Sequence, residues 1–363
     1  MCLLLSLLLA AEVSAQPIRQ YHVEQQLSES GETSAAVSIA DFDGDSKPDV
    51  LLSTGRHWAA PIRLYRNRGK RAFGDPVTIG AKGYKSYGIP AADFDRDGRL
   101  DFAVGTDRND EKPVYRNDGI GGFALVGPYG PPGMVTRNLA VADLNGDRFP
   151  DIIAANRGGG NRLFLNDGRG RFAAALPFGT AEDHTVTVAV ADMNGDGHAD
   201  LILANRDGQQ SAIYLNDGKA RFRAGALFGP AKADTRAVAV ADLNNDGAPD
   251  IVASHLGQGT VIYWNKAGAF AASQPLHASG AYSLLVADMN KDGKPDIVQG
   301  SEEGANFVHF QTGSRQFRAV SFGEGKGTTY GVAIGDLDGD GFPDIAAARS
   351  AVASAMFFSS PVR

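Results

Sequence analysis

The sequence is poor in cysteine, tryptophan and long apolar runs. Cys2 is the single cysteine among 363 residues, so the chain cannot form an internal disulfide. Trp58 and Trp264 are the only tryptophans, and neither tryptophan–aspartate nor kelch repeat signatures are present. No apolar stretch after Ala10 approaches the length of a membrane-spanning helix. The sequence also lacks a nucleophile elbow, a phosphate-binding loop and a dinucleotide fingerprint. These absences exclude a disulfide-stabilised scaffold, a membrane span and several enzyme classes.

One acidic pattern, Asp-x-Asp/Asn-x-Asp-x-x-x-Asp, occurs seven times in the chain. Successive copies start 46 to 52 residues apart, a period that is long enough for one supersecondary unit and too regular for chance. The copies start at Asp41, Asp93, Asp143, Asp192, Asp242, Asp288 and Asp336. The pattern therefore predicts a protein built from seven structural repeats.

The spacing within each copy is that of a calcium-binding loop. Side-chain oxygens stand at positions 1, 3, 5 and 9, a main-chain carbonyl is available at position 7, and glycines permit the tight turn that brings them together. Mg²⁺ is the weaker candidate, because it prefers fewer protein ligands and more water. We expect one Ca²⁺ in each repeat and up to seven in the chain. The candidate ligands are Asp41, Asp43, Asp45, Lys47, Asp49, Asp93, Asp95, Asp97, Arg99, Asp101, Asp143, Asn145, Asp147, Phe149, Asp151, Asp192, Asn194, Asp196, His198, Asp200, Asp242, Asn244, Asp246, Ala248, Asp250, Asp288, Asn290, Asp292, Lys294, Asp296, Asp336, Asp338, Asp340, Phe342 and Asp344.

An EF-hand is the obvious rival, since it places ligands at the same early positions. It also needs a bidentate glutamate at position 12 and a helix on each side. The flanks read as strands instead: residues 185–190 alternate with a period of two before one loop, and residues 200–204 follow it as a buried run. Position 12 is occupied by Leu52, Val104, Ala154, Leu203, Ala253, Gln299 and Ala347. The EF-hand interpretation therefore fails.

A second signature divides each repeat further. An aromatic residue followed by Asn-Asp-Gly or a related turn lies about 20 residues after the loop, and a phenylalanine opens the next strand, as at Tyr214 and Phe222. Each repeat then contains four short strands, with the acidic loop between the first and the second. Four-stranded units at this period predict an all-β fold, a seven-bladed β-propeller of four-stranded antiparallel blades.

The two ends of the chain are expected to meet in the last blade. The seventh repeat stops after its third strand, residues 355–358, and lacks the fourth. Tyr21 lies 20 residues before Asp41, which is the spacing between Phe73 and Asp93. Residues 18–27 should therefore be the outermost strand of the last blade, which ties the termini together and removes a loose edge.

The segment before residue 18 is interpreted as a signal peptide. Residues 3–10 are an apolar run of suitable length, and Val13, Ser14 and Ala15 form a small-residue cleavage site. We expect residues 1–15 to be removed, residues 16–363 to form a single propeller domain, and the protein to be secreted or periplasmic.

The repeats resemble the FG-GAP (VCBS-type) repeats of integrin α-chain propellers and of many secreted bacterial proteins. The acidic loops carry the resemblance over about residues 18–363, and the Gly-Ala-Pro element is degenerate. The Phe-Gly element is matched by Phe178-Gly179, Phe228-Gly229 and Phe322-Gly323. The architecture is also similar to that of fungal lectins built on an integrin-like seven-bladed propeller. The resemblance implies Ca²⁺ in loops on one face and ligands on the other face or between blades, without specifying a ligand.

The face opposite the acidic loops is where we expect a ligand to bind, because the ends of the second strands and the starts of the first strands lie together there. The candidate ligand-binding residues are Arg56, Arg108, Arg157, Arg206 and Arg349 after the second strands and Tyr87, Arg137, Arg236, Tyr282 and Tyr330 before the acidic loops. Arginine forks bind carboxylate or sulfate and tyrosine faces suit sugar rings, so an anionic glycan is a reasonable ligand. Solvated arginines and packed tyrosines are the alternative interpretation.

The favoured interpretation is a secreted calcium-binding propeller that acts as a binding or adhesion module, lectin-like toward anionic glycans. Adhesion to an extracellular protein is one alternative. Another is a polysaccharide lyase-type enzyme, in which Arg137 or Arg236 would hold a uronate carboxylate and Tyr87, Tyr330 or His255 would act as the base. No motif fixes that geometry, so the sequence leaves activity open and assigns no catalytic residue. Nothing in it indicates a nucleic acid partner.

Overall fold

The computed structural model describes residues 18–119 and 121–362, which form strands, turns and loops. No helix in these ranges is long and apolar enough to cross a membrane. Seven four-stranded antiparallel sheets follow one another along the chain. The fold is therefore all-β and seven-bladed, as the repeats predicted.

Blades 1 to 6 each use strands that follow one another in the sequence, from the innermost to the outermost. Blade 1 comprises Ala36–Ala40, Asp49–Ser53, Ala60–Tyr65 and Val77–Tyr84. Blade 2 comprises Ala91–Ala92, Asp101–Ala103, Pro113–Asn117 and Phe123–Pro128. Blade 3 comprises Thr136–Ala142, Asp151–Asn156, Asn161–Asn166 and Phe172–Phe178. Blade 4 comprises Thr185–Ala191, Asp200–Asn205, Ser211–Asn216 and Phe222–Phe228.

The remaining sheets complete the ring and add two short ladders. Blade 5 comprises Thr235–Ala241, Asp250–His255, Gly259–Lys266 and Ala269–His277. Blade 6 comprises Ala281–Ala287, Asp296–Ser301, Asn306–Gly313 and Gln316–Phe322. Blade 7 comprises Thr328–Gly335, Asp344–Ser350, Ala355–Pro361 and, outermost, Arg19–Gln26. The short ladders pair Ser86–Gly88 with Gly105–Thr106 and Asn67–Gly69 with Ala72–Phe73.

The innermost strands of neighbouring blades lie side by side and close the ring. Ala36–Ala40 of blade 1 contacts Thr328–Gly335 of blade 7, the last step of the circle. Gly331 fits this narrow seam, because a Cβ at that position would lie 2.9 Å from the main-chain oxygen of Ala35. Glycine is therefore favoured at this position of the seam.

The hydrophobic core lies between the blades. The second strand is buried at nearly every residue, as in Asp151–Asn156, because neighbouring blades cover both of its faces. Ile153 and Ala155 of blade 3 pack in one such cluster with Leu201 and Leu203 of blade 4. Apolar packing between adjacent sheets therefore holds the ring together.

The outermost strand of blade 7 comes from the other end of the chain. Arg19–Gln26 pairs antiparallel with Ala355–Pro361. Tyr21 is buried there, and its ring centroid lies 6.1 Å from that of Phe322. The predicted closing strand at residues 18–27 is thus confirmed. The predicted signal peptide, residues 1–15, lies outside the described residues.

Candidate functional site

An acidic loop joins the first two strands of each blade, and its own carboxylates fold it. In blade 4, Asp192 accepts hydrogen bonds from the main-chain N–H groups of Gly195 at 2.7 Å and Gly197 at 2.8 Å. Asp196 accepts another from His198 at 2.9 Å. Gly195 and Gly197 have φ angles of 76° and 83°, a region that favours glycine. The spacing of the aspartates therefore sets the shape of the turn.

The last aspartate of each loop is buried beneath the turn. The Asp200 carboxylate accepts hydrogen bonds from the main-chain N–H groups of Met193 and Asn216, each over 2.8 Å. Burial raises the pKa of the equivalent carboxyls, although such hydrogen bonds act in the other direction. The pKa rises to about 6 for Asp49, Asp101, Asp151 and Asp250 and to about 7 for Asp296 and Asp344. A neighbouring cation would favour the ionised form of each group.

Three loops bring three carboxylates within reach of one ion. In each of them, one oxygen from every member lies within 4.8 Å of the others. The clusters are Asp41, Asp43 and Asp49, then Asp93, Asp95 and Asp101, then Asp336, Asp338 and Asp344. The other four loops have asparagine at position 3, and its amide oxygen is also a Ca²⁺ donor. Both polar atoms of the Asn244 side chain are buried without a hydrogen-bond partner among the described residues. This donor set fits a hard cation.

The asparagine of the turn signature connects the acidic loops of neighbouring blades by a hydrogen bond. The Asn216 side chain of blade 4 donates to the main-chain oxygen of Leu144 in the loop of blade 3, over 2.9 Å. Equivalent bonds join Asn67 to Leu337, Asn117 to Phe42, Asn166 to Phe94 and Gln311 to Leu243. The sequence predicted the hairpin turn, and the bond between blades was missed because its acceptor lies in another repeat.

A cavity of about 820 Å³ opens at the other end of the ring. The starts of the first strands line it, whereas the acidic loops follow the ends of the same strands. Eight of the ten arginines and tyrosines expected at this face line the cavity together. They are Arg56, Tyr87, Arg137, Arg157, Arg206, Arg236, Tyr282 and Tyr330.

On the side of blades 3 and 4, the arginines are paired around one carboxylate. Asp207 lies 3.3 Å from Nε of Arg157, 2.8 Å from Nε of Arg206 and 2.8 Å from Nδ1 of His184. Burial opposes ionisation of Asp207, but the hydrogen bonds from His184 and Arg206 and the charge of Arg157 lower its pKa below the usual range. One carboxylate therefore offsets part of the positive charge on this side.

The two arginines before the acidic loops have incomplete partners. Nη2 of Arg236 lies 2.9 Å from Asp234, and Nη1 of Arg137 lies 3.5 Å from Asp107. The second pair is an ion pair without a hydrogen bond, since Nη1 of Arg137 is buried with no hydrogen-bond partner among the described residues. Nε of Arg236 is unsatisfied in the same way. Each guanidinium group therefore has one buried donor without a hydrogen bond.

Aromatic rings form the side contributed by blades 1, 2, 6 and 7. The ring centroids of Tyr282 and Tyr330 lie 4.8 Å apart. The guanidinium carbon of Arg56 lies 3.4 Å from the centroid of Tyr330, and that of Arg137 lies 4.1 Å from the centroid of Tyr87. Cation–π contacts therefore place two positive charges among three tyrosines.

Arg56 differs from the other cavity arginines because it has no carboxylate partner among the described residues. Its Nη1 atom lies 3.0 Å from Nε2 of His57. Burial lowers the pKa of Arg56. Next to it, Trp58 is 64% exposed, with its ring centroid 5.9 Å from that of His57. This loop of blade 1 therefore carries a cation without a carboxylate partner at the cavity and an exposed tryptophan outside the cavity lining.

Two predicted rim residues lie elsewhere. Arg108 is exposed and does not line the cavity. Arg349 is buried, because its side chain turns into blade 7, pairs with Glu324 and donates to the main-chain oxygen of Ala353 at 2.7 Å. His255, a base candidate in the lyase interpretation, is also buried and lies outside the cavity lining.

Sequence reasoning missed the acidic and histidine partners of the rim. Asp107, Asp207 and Asp234 pair with four of the five cavity arginines, His184 contacts Asp207, and His57 contacts the fifth arginine, Arg56. Asp107 and Asp207 are adjacent in sequence to arginines at the ends of second strands. This adjacency was the sequence signal that could have identified them as partners.

A closed ring of seven four-stranded blades, with an acidic loop in each, defines a repeat β-propeller. The chain belongs to the FG-GAP-like repeat family, whose model matches residues 41–104, 143–203, 192–253, 242–299 and 288–347. Each match starts at the first aspartate of one acidic loop and ends just after another loop. The resemblance seen in the sequence is thus confirmed.

Solved structures support the same architecture. Crystal structures of BBS1N in complex with ARL6DN are similar, with a TM-score of 0.61 for one soaked with mercury and 0.63 for one soaked with lead. Both matches are 11% identical and cover 94% of this chain, together with 97% and 98% of those chains. At this identity the likeness shows the fold alone. No curated protein matches the sequence.

Proposed function

We propose that this propeller is a calcium-binding module that recognises anionic glycans through the arginine- and tyrosine-lined cavity. The observation that carries the proposal is the convergence of five arginines and three tyrosines, supplied by all seven blades, on one cavity of about 820 Å³. That volume is typical of small-ligand sites. Guanidinium groups bind carboxylates or sulfates in a fixed geometry, and tyrosine faces pack against sugar rings.

Calcium has a structural role in this proposal. The side-chain oxygens at positions 1, 3, 5 and 9, with the carbonyl at position 7, would hold the ion in each loop. The ion would supply the positive charge that offsets repulsion among clustered carboxylates. The loops and the cavity lie at opposite ends of the first strands. Calcium would therefore affect glycan binding indirectly, by stabilising the blades that carry the cavity residues.

A glycan array probed in calcium tests the proposal. We expect the wild-type protein to retain carboxylated or sulfated glycans, and Arg137→Ala and Arg236→Ala to lose them because both guanidinium groups line the cavity. Arg108→Ala is the matched control, since Arg108 is exposed outside the cavity lining. If the wild-type protein retains no anionic glycan, the proposal is wrong.

A protein partner is the alternative candidate. The similar crystal structures are of BBS1N in complex with ARL6DN, so a propeller of this fold occurs in a protein complex. The likeness concerns the fold, and no particular partner is carried over. This alternative is favoured if the propeller captures a protein and if that capture persists after glycosidase treatment and in the Arg137→Ala variant.

Export is part of the proposal, because the favoured ligands are extracellular. The apolar run at residues 3–10 and the small residues before Gln16 support it. Amino-terminal sequencing of the protein from the periplasm or medium should begin at Gln16. Intact protein confined to the cytoplasm would contradict export.

A further inference from the structure

Positive and negative charges around the cavity are nearly balanced. Five arginines line it, and three aspartates, Asp107, Asp207 and Asp234, pair with arginines at its rim, which leaves a balance of two positive charges. Glu302 lies close enough to Tyr282 for its charge to add to burial in raising the pKa of that phenol. If the charge of Glu302 is included, an excess of one positive charge remains. A cavity with so small an excess does not favour a highly charged ligand.

Of the two surplus positive charges, one lies on Arg56, and the other is shared by Arg157 and Arg206, which have one close carboxylate, Asp207, between them. Arg56 has no carboxylate partner among the described residues, and Arg137 faces Asp107 without a hydrogen bond. The two cations act on each other, since burial first and the Arg137 charge in addition lower the pKa of Arg56. A single carboxylate or sulfate placed between them would relieve this repulsion by pairing with both guanidinium groups.

The groups beside this cationic pair are aromatic. Tyr330 lies under Arg56, and Tyr282 packs next to Tyr330. A planar or ring-shaped ligand attached to the anionic group would therefore contact apolar surface. Farther round the rim, Asp207 and Asp234 already pair with Arg157, Arg206 and Arg236, so a chain of anionic groups would have to compete with these carboxylates there.

We infer that the cavity takes a ring compound that bears one anionic group, or at most two, such as one acidic sugar at the end of a glycan. The anionic group lies at Arg56 and Arg137, and the ring packs against Tyr330 and Tyr282. This inference rests on the proposed function, because it concerns the same cavity, and it excludes extended polyanions as the preferred ligand.

Isothermal titration calorimetry of the full chain in calcium and 0.15 M salt tests the inference. The probes are methyl glucuronide, methyl galacturonide and N-acetylneuraminic acid as singly charged rings, methyl glucoside as a neutral ring, and a heparin tetrasaccharide as a polyanion. The matched variants are Arg56→Gln and Arg157→Gln. Both residues follow a second strand and line the cavity, but only Arg157 is paired, through Asp207.

We expect at least one singly charged ring to bind, the neutral ring to fail, and the heparin tetrasaccharide to bind no more tightly than the best ring. Arg56→Gln should raise Kd for that ring by about tenfold or more, because a charge-assisted contact is lost, whereas Arg157→Gln should change it by less than about twofold.

The outcomes separate this inference from the proposed function. Affinity that rises steeply with the number of sulfates, with equal losses in the Arg56 and Arg157 variants, would show a polyanion site. That result would overturn the inference and leave anionic-ligand binding intact. If no probe binds the folded wild-type protein, the inference is wrong. If the protein also retains no anionic glycan on the array, the proposed function is rejected as well.

Discussion

The side-chain amide of Asn216 donates a hydrogen bond of 2.9 Å to the main-chain oxygen of Leu144, which belongs to the acidic loop of the preceding blade. The main-chain N–H of Asn216 also binds Asp200, the last aspartate of its own loop, over 2.8 Å. One residue thus connects two acidic loops that lie in different repeats. The loops form a hydrogen-bonded series along part of the ring, in addition to the apolar packing between blades.

Replacing Asn216 should cost more stability than replacing its counterpart in blade 5. The Asn265 side chain donates only to the oxygen of Pro249 in its own blade, over 3.0 Å, among the described residues. Asn216 and Asn265 are almost equally buried, at 4% and 5% exposure. We expect Asn216→Ala to lower the free energy of unfolding by about 1 kcal/mol more than Asn265→Ala, the typical net value of one hydrogen bond. Urea denaturation in calcium measures both, and equal losses would contradict a stabilising bond between blades.

Chelation should destabilise the fold if the acidic loops hold calcium as proposed. An ion that binds the native state and not the unfolded chain raises the midpoint of thermal unfolding, and this shift grows with ion concentration. We expect excess chelator to lower Tm by several degrees and added Ca²⁺ to restore it, with Mg²⁺ less effective. Differential scanning calorimetry measures the shift. An unchanged Tm in excess chelator would reject the structural role.

Features that recur with the repeat could be predicted from the sequence. Tyr21 was assigned to the last blade because it precedes its loop by the same spacing as Phe73, and the structure places it there. Arg137 and Tyr282 could be assigned to one face for the same reason. Periodicity identifies equivalent positions, and equivalent positions in a closed ring share a face.

Contacts that do not recur were beyond that reasoning. Arg349 occupies the same repeat position as Arg56, yet it is buried because Glu324, in the loop between blades 6 and 7, pairs with it. Arg206 likewise lies near Asp234 of the next blade, at 3.7 Å. Loops between blades vary in length and composition, so the partner of a rim residue cannot be derived from its position in the repeat.

Acidification should weaken the fold through His255, which is buried between Thr235 and Tyr263. Nδ1 lies 3.1 Å from the Thr235 hydroxyl, and Nε2 lies 2.7 Å from the Tyr263 hydroxyl. Burial lowers the pKa of His255 from 6.5 to about 4. Between these values the unfolded chain binds more protons, so the free energy of unfolding rises with pH. This contribution is complete above pH 6.5 and is lost as the pH falls toward 4, a loss of about 3 kcal/mol.

His255→Gln isolates this effect, because glutamine keeps hydrogen-bonding capacity and does not titrate. The variant should be less stable than the wild type at pH 7, and the difference should shrink as the pH is lowered to 4. Urea denaturation at several pH values, with calcium saturating throughout, gives the difference directly. A difference that stays constant across this range would show that His255 does not titrate as described.

The closing strand should be essential to the stability of the ring, although it is only one of the strands that form the ring. Tyr21 is buried against Phe322 of blade 6, so Tyr21→Ala removes contacts that hold blade 7 to its neighbour. We expect a loss of about 3 kcal/mol in the free energy of unfolding, as for other buried aromatic residues replaced by alanine. Trp58→Ala, at a position that is 64% exposed, should change it by less than about 0.5 kcal/mol.

Because detachment of Arg19–Gln26 uncovers the edge of Ala355–Pro361, limited proteolysis of the Tyr21 variant should cut near either end of the chain first. Equal stability of the two variants would show that the other three strands hold blade 7 without the terminal strand.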